Sequence, residues 1–240
     1  ILSVITFLSV IILFIFIYRY ISQNQKTKVD ITNYIPQESI LVIKINNIKK
    51  NLNDIKSLNY IKPNIYINAI EKLITSYTNN LDLSTMYIAY NNVNDNLTKP
   101  LILLNLKTSI SKDKIMETLL LSNKYKTTKL KYKNFIIYKF QTDNKLLYYY
   151  SNDEVFIISE YISLVEKSLD TAANQKILYP NKKTHNNIID LIKTTNNNSP
   201  INLIINIDKI NHIFRKNPEL SILSDIGKYA NADISFKQNN

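Results

Sequence analysis

The chain has no cysteine and no tryptophan, and Gly227 is its one glycine in 240 residues. Each shortage removes a class of chemistry. Without cysteine there are no disulfides, no thiolate nucleophile, no cysteine-ligated zinc and no lipidated cysteine after a hydrophobic leader. Phosphate loops, dinucleotide fingerprints and nucleophile elbows need glycine, where backbone meets ligand or takes positive φ, so none of them can be built. The two histidines, His185 and His212, lie far apart without carboxylate or hydroxyl motifs around them and read as surface or capping residues. Arginine is scarce too: of 30 basic residues only Arg19 and Arg215 are arginines. Readers of nucleic-acid sequence favour the planar guanidinium fork, so nucleic acid is not the expected partner despite a net charge of +11.

What the chain has in excess is 41 Ile, 34 Asn and 17 Tyr, and lysine makes up nearly all of its basic residues. All four have AT-rich codons, and nucleotide bias accounts for much of the skew. Lysines spread along the whole chain describe a solvated surface more than a binding footprint. A hydrophobic fraction of 45% is normal for a chain that buries a core.

The strongest positive signal is ILSVITFLSVIILFIFIY, residues 1–18, interrupted only by Ser3, Thr6 and Ser9. As a helix it would cover about 27 Å, near the hydrocarbon thickness of a bilayer. Residues 1–20 are therefore expected to be a transmembrane signal anchor contacting lipid through Ile1 to Tyr18, residues 21–33 a polar linker, and residues 34–240 an α+β domain. Ile17, Tyr18, Arg19 and Tyr20 stand where a cleavage site would need small residues, which favours an uncleaved anchor. The chain begins at Ile1 inside the apolar run and ends after ADISFKQNN, which is expected to mean a longer parent chain at both ends. Arg19, Lys26 and Lys28 on the one visible flank would by themselves place the domain in the cytoplasm, but the rule compares two flanks.

Along the domain, Ile40 to Ile45 reads as a buried strand, with Asn46 and Asn47 capping a helix that carries Ile48, Leu52 and Ile55. A helix is expected over Ile65 to Asn79. Strands at Met86 to Tyr90 and Leu101 to Leu106 flank a loop, NNVNDNLTKP, and a helix follows at Lys112 to Leu121. Four strands at Thr127 to Tyr132, Phe135 to Phe140, Leu146 to Tyr150 and Val155 to Ser159 form a meander. Helices are expected at Glu160 to Leu169, burying Ile162, Val165 and Leu169, and near Asn187 to Lys193, before a strand at Ile201 to Ile207. VIKINNI (Val42 to Ile48) lines up with IINIDKI (Ile204 to Ile210), each a strand running into a capped helix. Duplication of a β-α unit and coincidence in an Ile- and Asn-rich chain both account for it. The fold class is α+β, a mainly antiparallel sheet with helices packed on it.

No catalytic motif emerges, and no cofactor or metal is expected. Ser109-x-x-Lys112 has the spacing of a serine acyl-transfer pair but falls at a helix start without the companion elements, so capping explains it. The cluster Asn91 to Asn96 lacks the glycine and terminal glutamate of a calcium loop and reads as a turn. Sequons at Asn96 and Asn197 are expected by chance in so Asn-rich a chain. One surface candidate remains: Lys129, Lys131 and Lys133, which at period two share a strand face and form either a solvated, edge-guarding face or a cationic strip for an anionic lipid or glycan. Tyr148, Tyr149 and Tyr150 alternate between faces, so one or two of them belong to the core.

The stretch YIPQESILVIKINNIKKNL (Tyr34 to Leu52), followed in order by FIIYKF, LLYYYSNDEVFIISEYISLVEKSL and INLIINIDKI, resembles an uncharacterised family of membrane-anchored envelope proteins from Bacteroidota. The serine-then-helix step of that family is matched by Ser159 to Leu169, and NADISF resembles a strand continuing into further β structure. The chain departs from the family in lacking glycines in its turns and a tryptophan near Asp233. The resemblance implies an envelope protein with its domain outside the cytoplasm, on the periplasmic side, and of unknown activity; the expected role is binding or scaffolding toward an envelope protein or glycan. The alternative is a cytoplasm-facing domain that holds anionic lipid or nucleic acid through its lysines.

Overall fold

In the computed structural model, the residues described are 30–48, 50–51, 81–94, 97–106, 126–142, 145–152, 154–178, 188–209 and 229–234. The apolar run 1–18, the expected helices at 65–79 and 112–121, and Leu52 and Ile55 lie outside them. The chain divides into Ile1–Asp30 and a compact unit Ile31–Asn240. Among the described residues no helix is long and apolar enough to cross a membrane.

The compact unit is organised by one antiparallel sheet. Its nine described strands are β1 (Leu41–Asn46), β2 (Leu81–Asn94), β3 (Leu97–Leu106), β4 (Lys126–Tyr132), β5 (Phe135–Thr142), β6 (Lys145–Ser151), β7 (Val155–Ser159), β8 (Ile201–Asn206) and β9 (Tyr229–Ile234), in the order β4-β5-β6-β7-β3-β2-β1-β8-β9. Every adjacent pair is antiparallel. With the helix α1 (Ile162–Leu178) and the shorter α2 (Ile188–Thr194), this is the α+β class expected from the sequence. The four-strand meander falls within a residue or two of its expected bounds. A 3-10 turn, Ile31–Tyr34, opens the unit, and Ile31 and Thr32, at 3% and 4% exposure, are already part of its core.

Central strands are buried on both faces, which is why they read as continuous apolar runs: β7 is buried throughout and β1 everywhere except Leu41. On one face, α1 lays down Leu164, Val165, Leu169 and Ala172, a stripe with helical spacing, and its buried Ser168 hydroxyl donates to the Tyr34 carbonyl at 2.6 Å. The helix outruns its expected end at Leu169 because TAANQKIL contains no breaker and several good helix formers. Ile162 is only half-buried, so Leu164 and Ser168 take places in the stripe that the sequence reading had not assigned. On the other face Tyr149 stacks on Tyr138 (5.0 Å between centroids, 17°), while Tyr150 on the α1 face meets Phe135 edge-on (5.6 Å, 88°).

The loop expected at 91–100 is mostly strand. Asn91 is fully buried, its Oδ1 2.9 Å from the Ser39 hydroxyl, and Thr98 donates to Asn92 across the hairpin at 3.1 Å. Pro100 is tolerated there by register. Its partner Tyr90 turns its backbone carbonyl to Ile40, so the Tyr90–Pro100 pair needs no amide from proline. The other edge of Pro100 lies beyond the β3–β7 pairing, which starts at Ile102.

β1 and β8 are neighbours, with Val42 opposite Ile204, and their ends are symmetric: the Asn46 amide donates to Pro200 and the Asn206 amide to Ile40. Each strand ends on an asparagine and runs into a helical turn, begun by Ile48 after β1 and by Ile207 after β8. After β1 the turn is made by Asn47 at φ 47°, whose carbonyl accepts from the Lys50 and Asn51 amides. Asparagine tolerates this left-handed conformation and β-branched residues do not. Asn47→Val is therefore expected to cost about 1–3 kcal/mol and Asn47→Gly less than about 1 kcal/mol in urea unfolding, whereas equal losses would contradict the backbone origin of the effect.

Candidate functional site

The described part of the chain gathers its polar groups beneath the loop that joins α2 to β8. Lys44 lies in the middle of β1, only 4% exposed, opposite Asn202 of β8, which in turn lies opposite Asp233 of β9. Strand spacing puts the first and last Cα of this row about 10 Å apart. The Lys44 ammonium does not pair directly with that carboxylate. It donates to Thr195 Oγ1 at 2.8 Å and to Asn197 Oδ1 at 2.6 Å, and Thr195 passes its own proton to the Ile192 carbonyl at 2.7 Å. Burial pushes the Lys44 pKa below its ordinary value, and the Asp233 charge opposes that shift in part.

Asparagines carry the rest of the network. Asn46 donates from Nδ2 to the Ser199 carbonyl (2.8 Å) and to Asn202 Oδ1 (2.9 Å). Asn202 donates to Asp233 Oδ1 (2.6 Å) and to the Asn196 carbonyl (3.1 Å), and Asn51 closes the other end by donating to the Asn46 carbonyl (2.6 Å). Both Nδ2 protons of Asn46 and of Asn202 are thus used. Side chains from two strands, Lys44 and Asn46 of β1 and Asn202 of β8, hold the loop at Thr195, Asn196, Asn197 and Ser199. The arrangement is a clamp: the amine is occupied by two neutral acceptors, and Asp233, exposed at the sheet edge, supplies the compensating charge. Lys44 was not singled out in the sequence, although a lysine between Ile43 and Ile45 inside an apolar strand was the available signal.

The three lysines selected by period two are not brought together. Lys129 and Lys131 lie on β4 and are exposed, opposite Tyr138 and Ile136 of β5. Lys133 leaves the strand. It sits in the two-residue turn to β5 at φ 53°, and its ammonium pairs with Asp170 of α1, which also accepts from the Tyr132 hydroxyl at 2.8 Å. The Asp170 contact raises the Lys133 pKa, and burial raises that of Tyr132. The strip is two lysines with an exposed isoleucine beside them, and the third fastens the hairpin to the helix.

Ser109, Lys112, His185, His212, Asn96 and Gly227 lie outside the described residues. Among the described residues no group of three or more His, Cys, Asp or Glu is placed to hold a metal ion.

No family model and no curated protein matches the chain. Two solved structures resemble it: crystal form I of TP0453, at 13% identity and TM-score 0.43 over 75% of this chain and 64% of that one, and crystal form III of TP0453, at 11% and 0.42 over 80% and 68%. The chain thus spans just under two thirds of the first of these.

Because Lys44 binds its proton less tightly when folded than when unfolded, the unfolded state holds more protons between the lowered pKa and 10.5. The penalty of the buried charge is fully present below that window and is relieved as pH rises through it. Wild-type stability relative to Lys44→Met should therefore climb as pH is raised from neutral toward 10.5, with a slope below about 1.4 kcal/mol per pH unit. Urea midpoints that run parallel for the two proteins would contradict this.

Proposed function

We propose that the chain is a membrane-tethered protein of the cell envelope whose domain lies outside the cytoplasm and acts by binding or scaffolding. The apolar run 1–18 crosses the bilayer as a helix and stays uncleaved. The observation that carries the reading is the junction at residue 31: an apolar run and a polar spacer lead directly into a compact unit whose first residues, Ile31, Thr32, Tyr34 and Ile35, are buried. The sequence resemblance to anchored envelope proteins supports the extracytoplasmic side. In the same reading β1 and β8, each ending on an asparagine and running into a helical turn, are the two copies of a duplicated β-α unit.

A cytoplasm-facing domain is the competing reading, favoured by Arg19, Lys26 and Lys28 directly after the apolar run. Protease added to intact spheroplasts separates the two. The expected outcome is digestion of the domain from outside, with the membrane-embedded fragment resisting alkaline extraction. Protection of the domain until the membrane is breached would overturn the extracytoplasmic placement, and release by alkaline wash would overturn the anchor.

A further inference from the structure

The β4–β5 hairpin is covered on its α1 side, and its opposite side is buried at Phe140 but exposed toward the turn. Toward α1 it presents Tyr132, half-buried and bonded to Asp170, and the fully buried Ile137. Register places Lys129, Lys131, Ile136 and Tyr138 together on the opposite side, with Lys131 directly across from Ile136 and Lys129 across from Tyr138. Residues two apart in a strand are separated by about 7 Å and cross-strand partners by about 5 Å, so the four side chains outline one small patch. Ile136 is 48% exposed, the most exposed large hydrophobic residue described, and both lysines are exposed. Tyr138 is backed by Tyr149, which packs in turn on Phe156 (5.9 Å), so the patch rests on a rigid aromatic row and not on a loop.

We propose that this patch docks on the anionic phospholipid headgroups of the membrane that holds the chain, with Lys129 and Lys131 on the phosphates and Ile136 inserted between them. It rests on the membrane-tethered reading. An apolar side chain set directly across from one exposed lysine and near a second pairs hydrophobic and cationic groups in one patch. An anionic bilayer surface supplies negative charge and an apolar layer just beneath it, and each lysine strengthens such contact roughly fivefold. The chain's +11 charge adds long-range attraction to the same surface. Lys133 takes no part, because Asp170 holds it toward α1.

The absence of tryptophan supplies a reporter. Ile136→Trp in the full chain, reconstituted into vesicles of phosphatidylcholine with or without phosphatidylglycerol, carries a single indole. The expected result is blue-shifted emission quenched by brominated lipid in the anionic vesicles alone. Adding Lys129→Glu and Lys131→Glu should lower the ratio of docked to free patch by at least about twenty-five-fold, from two lysines at about fivefold each and the repulsion the glutamates add. Raised salt should undock the unsubstituted reporter, a readout independent of any folding defect in the double variant. Thr128→Trp, exposed on the helix-facing side of β4, should stay solvent-like throughout. A chain that stays in the vesicles while Trp at 136 remains solvent-exposed, or is quenched equally in both lipids, overturns the proposal and leaves the anchor standing. A chain washed out of the vesicles at alkaline pH overturns both.

Discussion

The structure depends on how one charge is accommodated in the middle of a sheet. Lys44 belongs to β1, which has a strand on either side and is covered on both faces. A bare ammonium there would carry a desolvation cost of several kcal/mol. The cost is met by acceptors from a single covering segment, Thr195 to Asn197, and by the Asp233 charge at the end of the same row. That requirement fixes where the loop after α2 must lie, and the loop position fixes the entry into β8. Removing the lysine's partners would leave a buried charge, so β1, the loop, β8 and β9 are tied into one cooperative patch.

A second constraint is the near absence of glycine. Tight reversals need left-handed backbone, and among the described residues Asn47 and Lys133 supply it. Asparagine does so at little cost. For lysine the cost is about 1 kcal/mol, and the Asp170 contact offsets part of it, although so exposed an ion pair contributes little alone. The hairpin between β4 and β5 is consequently not held by its turn. Tyr132 and Lys133 converge on Asp170 and fasten it to α1, and α1 is fixed in turn by the Ser168 bond to Tyr34.

Alternation and apolar runs were readable in the sequence wherever strands are short and closed by polar turns, which is why β4 to β7 were found almost to the residue. What failed were residues whose meaning depends on a distant partner. Asn91 and Asn92 look like turn formers until Ser39 and Thr98 are seen to satisfy them within a ladder. Pro100 looks like a strand terminator until its register spares the missing amide. Lys133 kept the period of Lys129 and Lys131, but period two holds only while the strand continues, and β4 stops at Tyr132. Lys44 broke the apolar pattern in plain view, but its two acceptors lie about 150 residues away in the chain.

Lys44 and the pair Lys129 and Lys131 show how register decides what a lysine is for. All three interrupt strands that alternate or run apolar, and composition treats them alike. On β1 the neighbouring strands and the overlying loop exclude water, so the ammonium must be matched by fixed acceptors, and the residue becomes structural. On β4, the outermost of the described strands, the side away from α1 has no described cover, and the same side chain stays solvated beside an exposed isoleucine. Edge lysines ordinarily discourage strand addition, and Lys129 and Lys131 serve that purpose as they stand. Edge protection alone requires charge and does not call for an exposed isoleucine directly across from Lys131. The isoleucine turns a guarded edge into a small amphipathic surface.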